Sequence, residues 1–141
     1  MAKPLGQFIG IRAFALSGRA GLASLFLLGG LNKVLTFTET EARMAEAGLQ
    51  PAALLLPATI ALELIGSACV IYGRRPAVFA AAALAAFTLA TNLWFHRFWE
   101  LSGEIAALEL SLFFKNVAIA GALIFVSAAE AGRMNDPNSR T

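Results

Sequence analysis

The stretch LLLPATIALELIGSACVIYGRRPAVFAAAALAAFTLATNLWF, residues 54–95, decides the fold of this chain. It consists of two apolar runs of 19 residues each, 54–72 and 77–95, on either side of the short turn GRRP. Glu63 is the one charged residue in the two runs together. A helix of about 20 apolar residues crosses the hydrocarbon core of a bilayer, because it rises about 1.5 Å per residue. The stretch therefore predicts two membrane-spanning helices joined by a tight turn.

The composition extends this prediction to the rest of the chain. Of the 141 residues, 58% are hydrophobic and 14% are charged, whereas a soluble domain has about 25% charged residues. Further apolar segments flank the central stretch, and together they predict four spans at about residues 15–35, 54–72, 77–96 and 113–129. These spans and their connections use the whole chain. We therefore predict a single all-α membrane domain, an up-down bundle of four transmembrane helices, without a separate soluble catalytic domain.

Two of the connections have the pattern of short amphipathic helices lying at the membrane surface. Residues 37–48 follow Thr36, which has the spacing of a capping box with Glu39, and Gly48 ends the segment. In residues 100–111 apolar side chains recur at helical spacing, and the glutamates lie mostly off that face. Both segments connect spans on the same side of the bundle, which we predict to be the outer side.

The distribution of Lys and Arg predicts the orientation. Seven cations fall on the side of the termini and the 73–76 turn, namely Lys3, Arg12, Arg19, Arg74, Arg75, Arg133 and Arg140. The opposite side receives four cations and six glutamates. Because cytoplasmic loops carry the excess of Lys and Arg, both termini are predicted to lie in the cytoplasm.

The cysteine and histidine counts exclude several kinds of site. Cys69 is the single cysteine, which excludes an intrachain disulfide, a CxxC redox pair and a thiolate metal cage. His96 is the single histidine, which excludes bis-histidine haem within one chain. The 11 Lys and Arg residues are matched by nine Asp and Glu residues and form no basic stripe. We therefore expect no metal, no covalently bound cofactor and no nucleic-acid partner.

Polar side chains at membrane depth are candidate functional residues, because burying them in hydrocarbon is costly. Glu63 lies at the midpoint of the second span and shares a helix face with Thr59 and Ser67. We predict that such groups converge on a ligand pocket in the outer half of the bundle. Its candidate ligand-binding residues are Lys33, Glu63, Asn92, His96, Lys115 and Asn116. The amides and the imidazole would form hydrogen bonds, a lysine would supply positive charge, and Glu63 would balance that charge or accept a proton.

A structural role for the same residues stays open. Glu63 would then pair with Lys33 or Lys115, and the asparagines would tie neighbouring helices together. His96 also lies within the aromatic and cationic segment FHRFW, which is typical of an anchor at the membrane interface. No catalytic residue is assigned.

Four short motifs in order resemble the DoxX family over about residues 12–130. They are GGLNK at 29–33, ELIG at 63–66, FHRFW at 95–99 and KNVAIAG at 115–121, one on each predicted span. By position, the motifs contain Lys33, Glu63, His96, Lys115 and Asn116. The resemblance implies a small four-helix protein of the bacterial inner membrane. DoxX-like proteins are associated with membrane oxidoreductase assemblies, including those that transfer electrons from thiosulfate or sulfur compounds to quinone, and they often work beside soluble redox proteins.

The resemblance thus predicts a subunit or accessory of a membrane oxidoreductase system that binds a quinone or a similar lipophilic molecule. Its partners would be the lipid bilayer and either a second copy of the chain or a soluble redox protein. The sequence contains no self-sufficient redox centre, so catalysis by this chain is left open. Two alternatives are a transporter of a small solute and a non-enzymatic anchor or assembly factor for a periplasmic partner.

Overall fold

The computed structural model describes residues 5–135, which are almost entirely helical. The helices are α1 (Leu5–Leu35), α2 (Phe37–Glu46), α3 (Ala52–Tyr72), α4 (Arg74–Phe95) and α5 (Gly103–Asn135), with a single 3-10 turn at Phe98–Glu100. Within this described part there is no β-strand. The all-α prediction is confirmed.

Four segments are long and apolar enough to cross a membrane: Arg12–Leu35, Ala52–Tyr72, Arg74–Glu100 and Gly103–Asn135. Each of them carries a large apolar side chain that is at least 71% exposed: Phe14, Leu54, Phe79 and Phe125. Such side chains are unfavourable in water and favourable in lipid hydrocarbon. The predicted four membrane helices in contact with the bilayer are therefore confirmed.

The predicted separate helix at residues 100–111 is wrong. A 3-10 turn occupies Phe98–Glu100, and α5 then runs without a break from Gly103 to Asn135. The sequence from 104 to 120 contains neither Gly nor Pro, and Ala, Leu and Glu favour helix, so nothing ends the helix before the apolar span. The apolar stripe recognised in the sequence belongs to the first turns of this long helix.

The helix predicted at residues 37–48 is present as α2, but its predicted capping box does not form. The Thr36 hydroxyl instead donates to the carbonyl oxygen of Asn32 at 2.9 Å, one turn back in α1. Thr36 therefore continues the hydrogen bonding of α1. Met44 packs with Ala52 and Leu56, and this cluster holds α2 against α3.

The long helices pack in sequence order around a core of small and aliphatic side chains. α1 packs mainly on α3, α3 on α4, and α4 on α5, whereas α1 and α5 barely meet. The main cluster consists of Ala23, Phe26, Val70, Ala81, Leu84, Ala85, Ala120 and Leu123. Gly66 favours the close approach of α3 and α4, since a Cβ there would lie 3.1 Å from Leu84 Cδ1. Small residues at such contacts are typical of membrane helices.

Candidate functional site

An ion pair between Lys33 and Glu63 joins α1 to α3. Lys33 Nζ lies 2.8 Å from each carboxylate oxygen of Glu63. The Glu63 side chain is 6% exposed and that of Lys33 is 26% exposed. The carboxylate is thus enclosed between two membrane-spanning helices, while part of the lysine remains accessible.

Two consecutive glycines on α1 make room for this ion pair. A Cβ at Gly30 would lie 2.8 Å from Leu64 Cδ2 and 3.2 Å from Glu63 Cβ, so the glycine permits the close approach of α3. A Cβ at Gly29 would lie 3.5 Å from Glu63 Oε1 and 3.6 Å from Lys33 Nζ. The absent side chain at Gly29 therefore leaves space for a small group beside the charged atoms.

The face of α3 that carries Glu63 points into the bundle, as predicted. Glu63, Gly66 and Ser67 are buried, and Thr59 is half-buried. The Ser67 hydroxyl donates to the carbonyl oxygen of Ala23 on α1 at 3.1 Å. This second contact fixes α1 against α3 one turn from the ion pair.

The two predicted asparagines form a separate polar contact between α4 and α5. Asn92 is 1% exposed, and its Nδ2 donates to the carbonyl oxygen of Phe113 at 3.1 Å. Asn116 Nδ2 donates to Asn92 Oδ1, also at 3.1 Å. Both polar ends of the buried Asn92 amide are therefore paired.

His96, at the end of α4, contacts Glu109, which is not among the six predicted candidate residues. Its Nδ1 lies 2.7 Å from Glu109 Oε2 on α5, and both side chains are half-buried. A carboxylate at Nδ1 orients the imidazole and leaves Nε2 for another partner. The neighbouring Trp94 is 53% exposed and donates its indole N–H to the carbonyl oxygen of Ala47 at 3.0 Å.

Five of the six candidate residues form three distinct contacts: Lys33 with Glu63, Asn92 with Asn116, and His96 with Glu109. Lys115 is exposed and has no hydrogen bond or ion pair with the described residues, so the alternative pairing of Glu63 with Lys115 is not made. In the described part of the chain, no hydrogen bond connects the Lys33 and Glu63 pair to the Asn92 and His96 contacts. Among the same residues, no three His, Cys, Asp or Glu side chains lie together as metal ligands.

A comparison with protein families identifies the chain. The sequence model of the DoxX family matches residues 14–97, which is more than half of the chain. The chain belongs to the DoxX family. The matched range of this DoxX protein contains Lys33, Glu63, Asn92 and His96, while Lys115 and Asn116 lie beyond it.

The DoxX protein is similar to a curated bacterial protein. It is 25% identical over 122 residues to inner membrane protein YphA of Escherichia coli strain K12, a match that covers 85% of each chain. No solved structure matches it. This likeness and the four apolar helices together indicate that the DoxX protein is a multi-pass protein of the inner membrane.

Proposed function

We propose that this DoxX protein is a subunit or accessory of a membrane oxidoreductase system. It binds a quinone, or a similar lipophilic molecule, in the outer half of an up-down helix bundle. The observation that carries the proposal is the ion pair that Lys33 and Glu63 form between two membrane-spanning helices. Apolar residues of similar volume often stabilise a fold as well as a buried ion pair does. A charged pair at this depth therefore indicates a chemical use.

The chemistry of the pair suits a carbonyl ligand. Lys33 has three N–H donors, of which Glu63 takes two at 2.8 Å. The contact with the carbonyl oxygen of Gly29 is long, at 3.5 Å, and leaves the third donor weakly used. A quinone oxygen can accept a hydrogen bond from it, in the space that Gly29 leaves beside the pair. Glu63 can take up one of the two protons that a hydroquinone releases, while the second proton passes to water and the two electrons pass to an oxidised partner protein.

The contact between His96 and Glu109 is a second polar pair in the bundle, without a hydrogen bond to Lys33 or Glu63 in the described part of the chain. The two half-buried side chains join the end of α4 to α5. A carboxylate at Nδ1 leaves the second ring nitrogen of His96 for another hydrogen bond. In this proposal, His96 offers that hydrogen bond to the ligand or to a partner at the membrane surface.

We place the end of the bundle that contains Lys33 outside the cytoplasm. The described end that carries the 73–76 turn contains five arginines and one glutamate, whereas the opposite end has four cations and six glutamates. That asymmetry supports cytoplasmic termini; Lys3 and Arg140, also counted in the prediction, lie outside the described residues. The acidic outer segments, including α2, would lie at the membrane surface and offer a surface to a second copy or to a soluble redox protein.

Photolabelling tests the location of the ligand. The purified protein in lipid nanodiscs is illuminated with a photoreactive quinone analogue, and labelled peptides are mapped by mass spectrometry. We expect labelling in α1 around Gly29 and in α3 around Glu63, competed by unlabelled quinone. Labelling confined to lipid-facing residues such as Phe125, without competition, would contradict the proposal. The variant Gly29→Leu fills the space beside the ion pair and should reduce labelling at least tenfold, with Gly121→Leu on α5 as the matched control.

A further inference from the structure

A second polar region lies at the end of the bundle opposite to Lys33 and His96, in a cavity of about 980 Å³. It opens where the ends of α3 and α5 meet the beginning of α4 and the first half of α1. Its charged lining consists of Arg12, Arg19, Arg74, Arg75, Glu130 and Arg133. Five arginines and one glutamate give this lining a formal charge of +4. The apolar lining includes Leu16 and Ile71.

Glu130 is buried at the centre of this cluster, and both of its carboxylate oxygens accept hydrogen bonds. Oε1 accepts hydrogen bonds from Arg19 Nη1 at 2.7 Å and from Arg133 Nη1 at 3.0 Å. Oε2 accepts one from the backbone N–H of Arg74 at 2.7 Å. The single carboxylate thus holds the middle of α1, the beginning of α4 and the end of α5 together, and it offsets one of the five positive charges.

Several donors in the cavity remain without a protein acceptor. Arg12 and Arg75 are exposed, and neither forms an ion pair with a residue that the structure describes. The side-chain N–H at Nε of Arg19 is buried and has no acceptor among the described residues. A buried donor without a partner is unfavourable, so an acceptor brought by a ligand would be favoured there.

The turn between α3 and α4 is shaped to bring arginines to the cavity. Gly73 has φ of +82°, and Arg74 has φ of +61°, in the left-handed region that non-glycine residues rarely adopt. A Cβ at Gly73 would overlap the guanidinium of Arg19, so that guanidinium packs directly on the turn backbone. The turn therefore places the cations of α1 and α4 side by side.

We propose that this cavity binds a phosphate group. Excess positive charge, planar guanidinium donors and a buried unpaired N–H match the oxygens of a phosphate mono- or diester. The position at the ends of membrane helices and the apolar side chains in the lining favour the headgroup of an anionic phospholipid as the source. A soluble phosphate compound offers the same chemistry.

Native mass spectrometry and thermal unfolding of the full chain test this site. The protein is titrated with phosphatidylglycerol, with phosphatidylcholine, and with inorganic phosphate. The variant Arg12→Gln/Arg75→Gln removes two exposed lining charges and leaves the contacts of Glu130 intact. Arg43→Gln/Lys115→Gln removes two exposed charges elsewhere and is the matched control. We expect the first variant to bind phosphatidylglycerol at least tenfold more weakly than the wild type, and the control to bind within twofold of it.

The three ligands distinguish the sources of the phosphate group. Stabilisation by phosphatidylglycerol but not by inorganic phosphate assigns the site to a lipid headgroup. Saturable stabilisation by inorganic phosphate that is lost in Arg12→Gln/Arg75→Gln supports the site with a soluble ligand. Equal binding of phosphatidylglycerol and phosphatidylcholine together with no effect of inorganic phosphate, or equal loss in the two variants, overturns the proposal.

Discussion

Lys33 Nζ contacts both carboxylate oxygens of Glu63 at 2.8 Å, and the pair links the end of α1 to the middle of α3. Both residues lie within segments that are apolar enough to span a membrane. Replacing one partner alone is therefore unfavourable, because it leaves the other charge without a partner in a low-dielectric environment.

We expect Glu63→Gln to destabilise the protein by about 3 kcal/mol, because Lys33 loses its counter-charge. The double variant Lys33→Met/Glu63→Gln removes both charges and should recover at least half of that loss. Unfolding in mixed micelles with increasing sodium dodecyl sulfate, followed by circular dichroism, measures both. Lys115→Met, which removes an exposed cation without a partner among the described residues, is the control and should change stability by less than about 0.5 kcal/mol. A double variant less stable than Glu63→Gln would argue against this account of the pair.

Gly30→Ala tests the close packing of α1 on α3. The added Cβ would lie 2.8 Å from Leu64 Cδ2, so Leu64 has to move, and we expect a loss of about 1–3 kcal/mol. Gly121→Ala is the matched control, since a Cβ there meets nothing within 4 Å, and it should be neutral or slightly stabilising. Equal effects of the two substitutions in the same unfolding assay would contradict the packing described here.

The turn at Gly73 can be tested against a second glycine with nearly the same φ angle. Gly48 has φ of +80° and open space around its Cα, whereas Gly73 has φ of +82° and faces the guanidinium of Arg19. Gly48→Ala should cost about 1 kcal/mol from backbone strain alone. Gly73→Ala should cost about 1–3 kcal/mol more, because it also displaces Arg19 and because ψ of −164° lies in a region that is essentially restricted to glycine. The free energies of unfolding of the two variants test this, and a difference near zero would contradict the tight turn described here.

The contact between Asn92 and Asn116 should appear as a coupling energy. A double-mutant cycle with Asn92→Leu and Asn116→Leu is expected to give about 0.6 kcal/mol, a usual value for hydrogen bonds between membrane helices. Asn92→Leu alone should cost more than Asn116→Leu alone, since it also leaves the carbonyl oxygen of Phe113 without its donor. Strictly additive effects would show that the two amides do not interact in the membrane.

The sequence was sufficient to predict the four spans, because long uncharged runs leave few alternatives in a bilayer. It also predicted that Glu63 faces the bundle and needs a cationic partner. It left the choice between Lys33 and Lys115 open, since both lie near the outer ends of their spans. Lys33 is the partner because α1, and not α5, packs on α3. The glycines at 29 and 30 allow this close packing, and their effect becomes visible only from the three-dimensional contacts.

Two further site residues are not evident from sequence patterns, for related physical reasons. Glu109 lies in the segment that the sequence predicts as a surface helix, and its contact with His96 exists because α5 continues past the membrane span and runs beside the end of α4. Glu130 lies one residue beyond the predicted end of the fourth span. It is the one glutamate on the arginine-rich side of the chain, a signal that could have indicated its pairing with Arg19.

The most direct test of the central claim is the quinone content of the protein as it is isolated from its membrane. Native mass spectrometry and lipid extraction after mild solubilisation are applied to the wild type, to Lys33→Met/Glu63→Gln and to Lys115→Met. We predict that the wild type and Lys115→Met retain a quinone or similar lipophilic molecule in a fixed ratio to the chain. The double variant should retain at least tenfold less while remaining folded. A wild type without such a molecule, or a folded double variant that retains as much of it, would contradict the claim that the pair of Lys33 and Glu63 forms a ligand site.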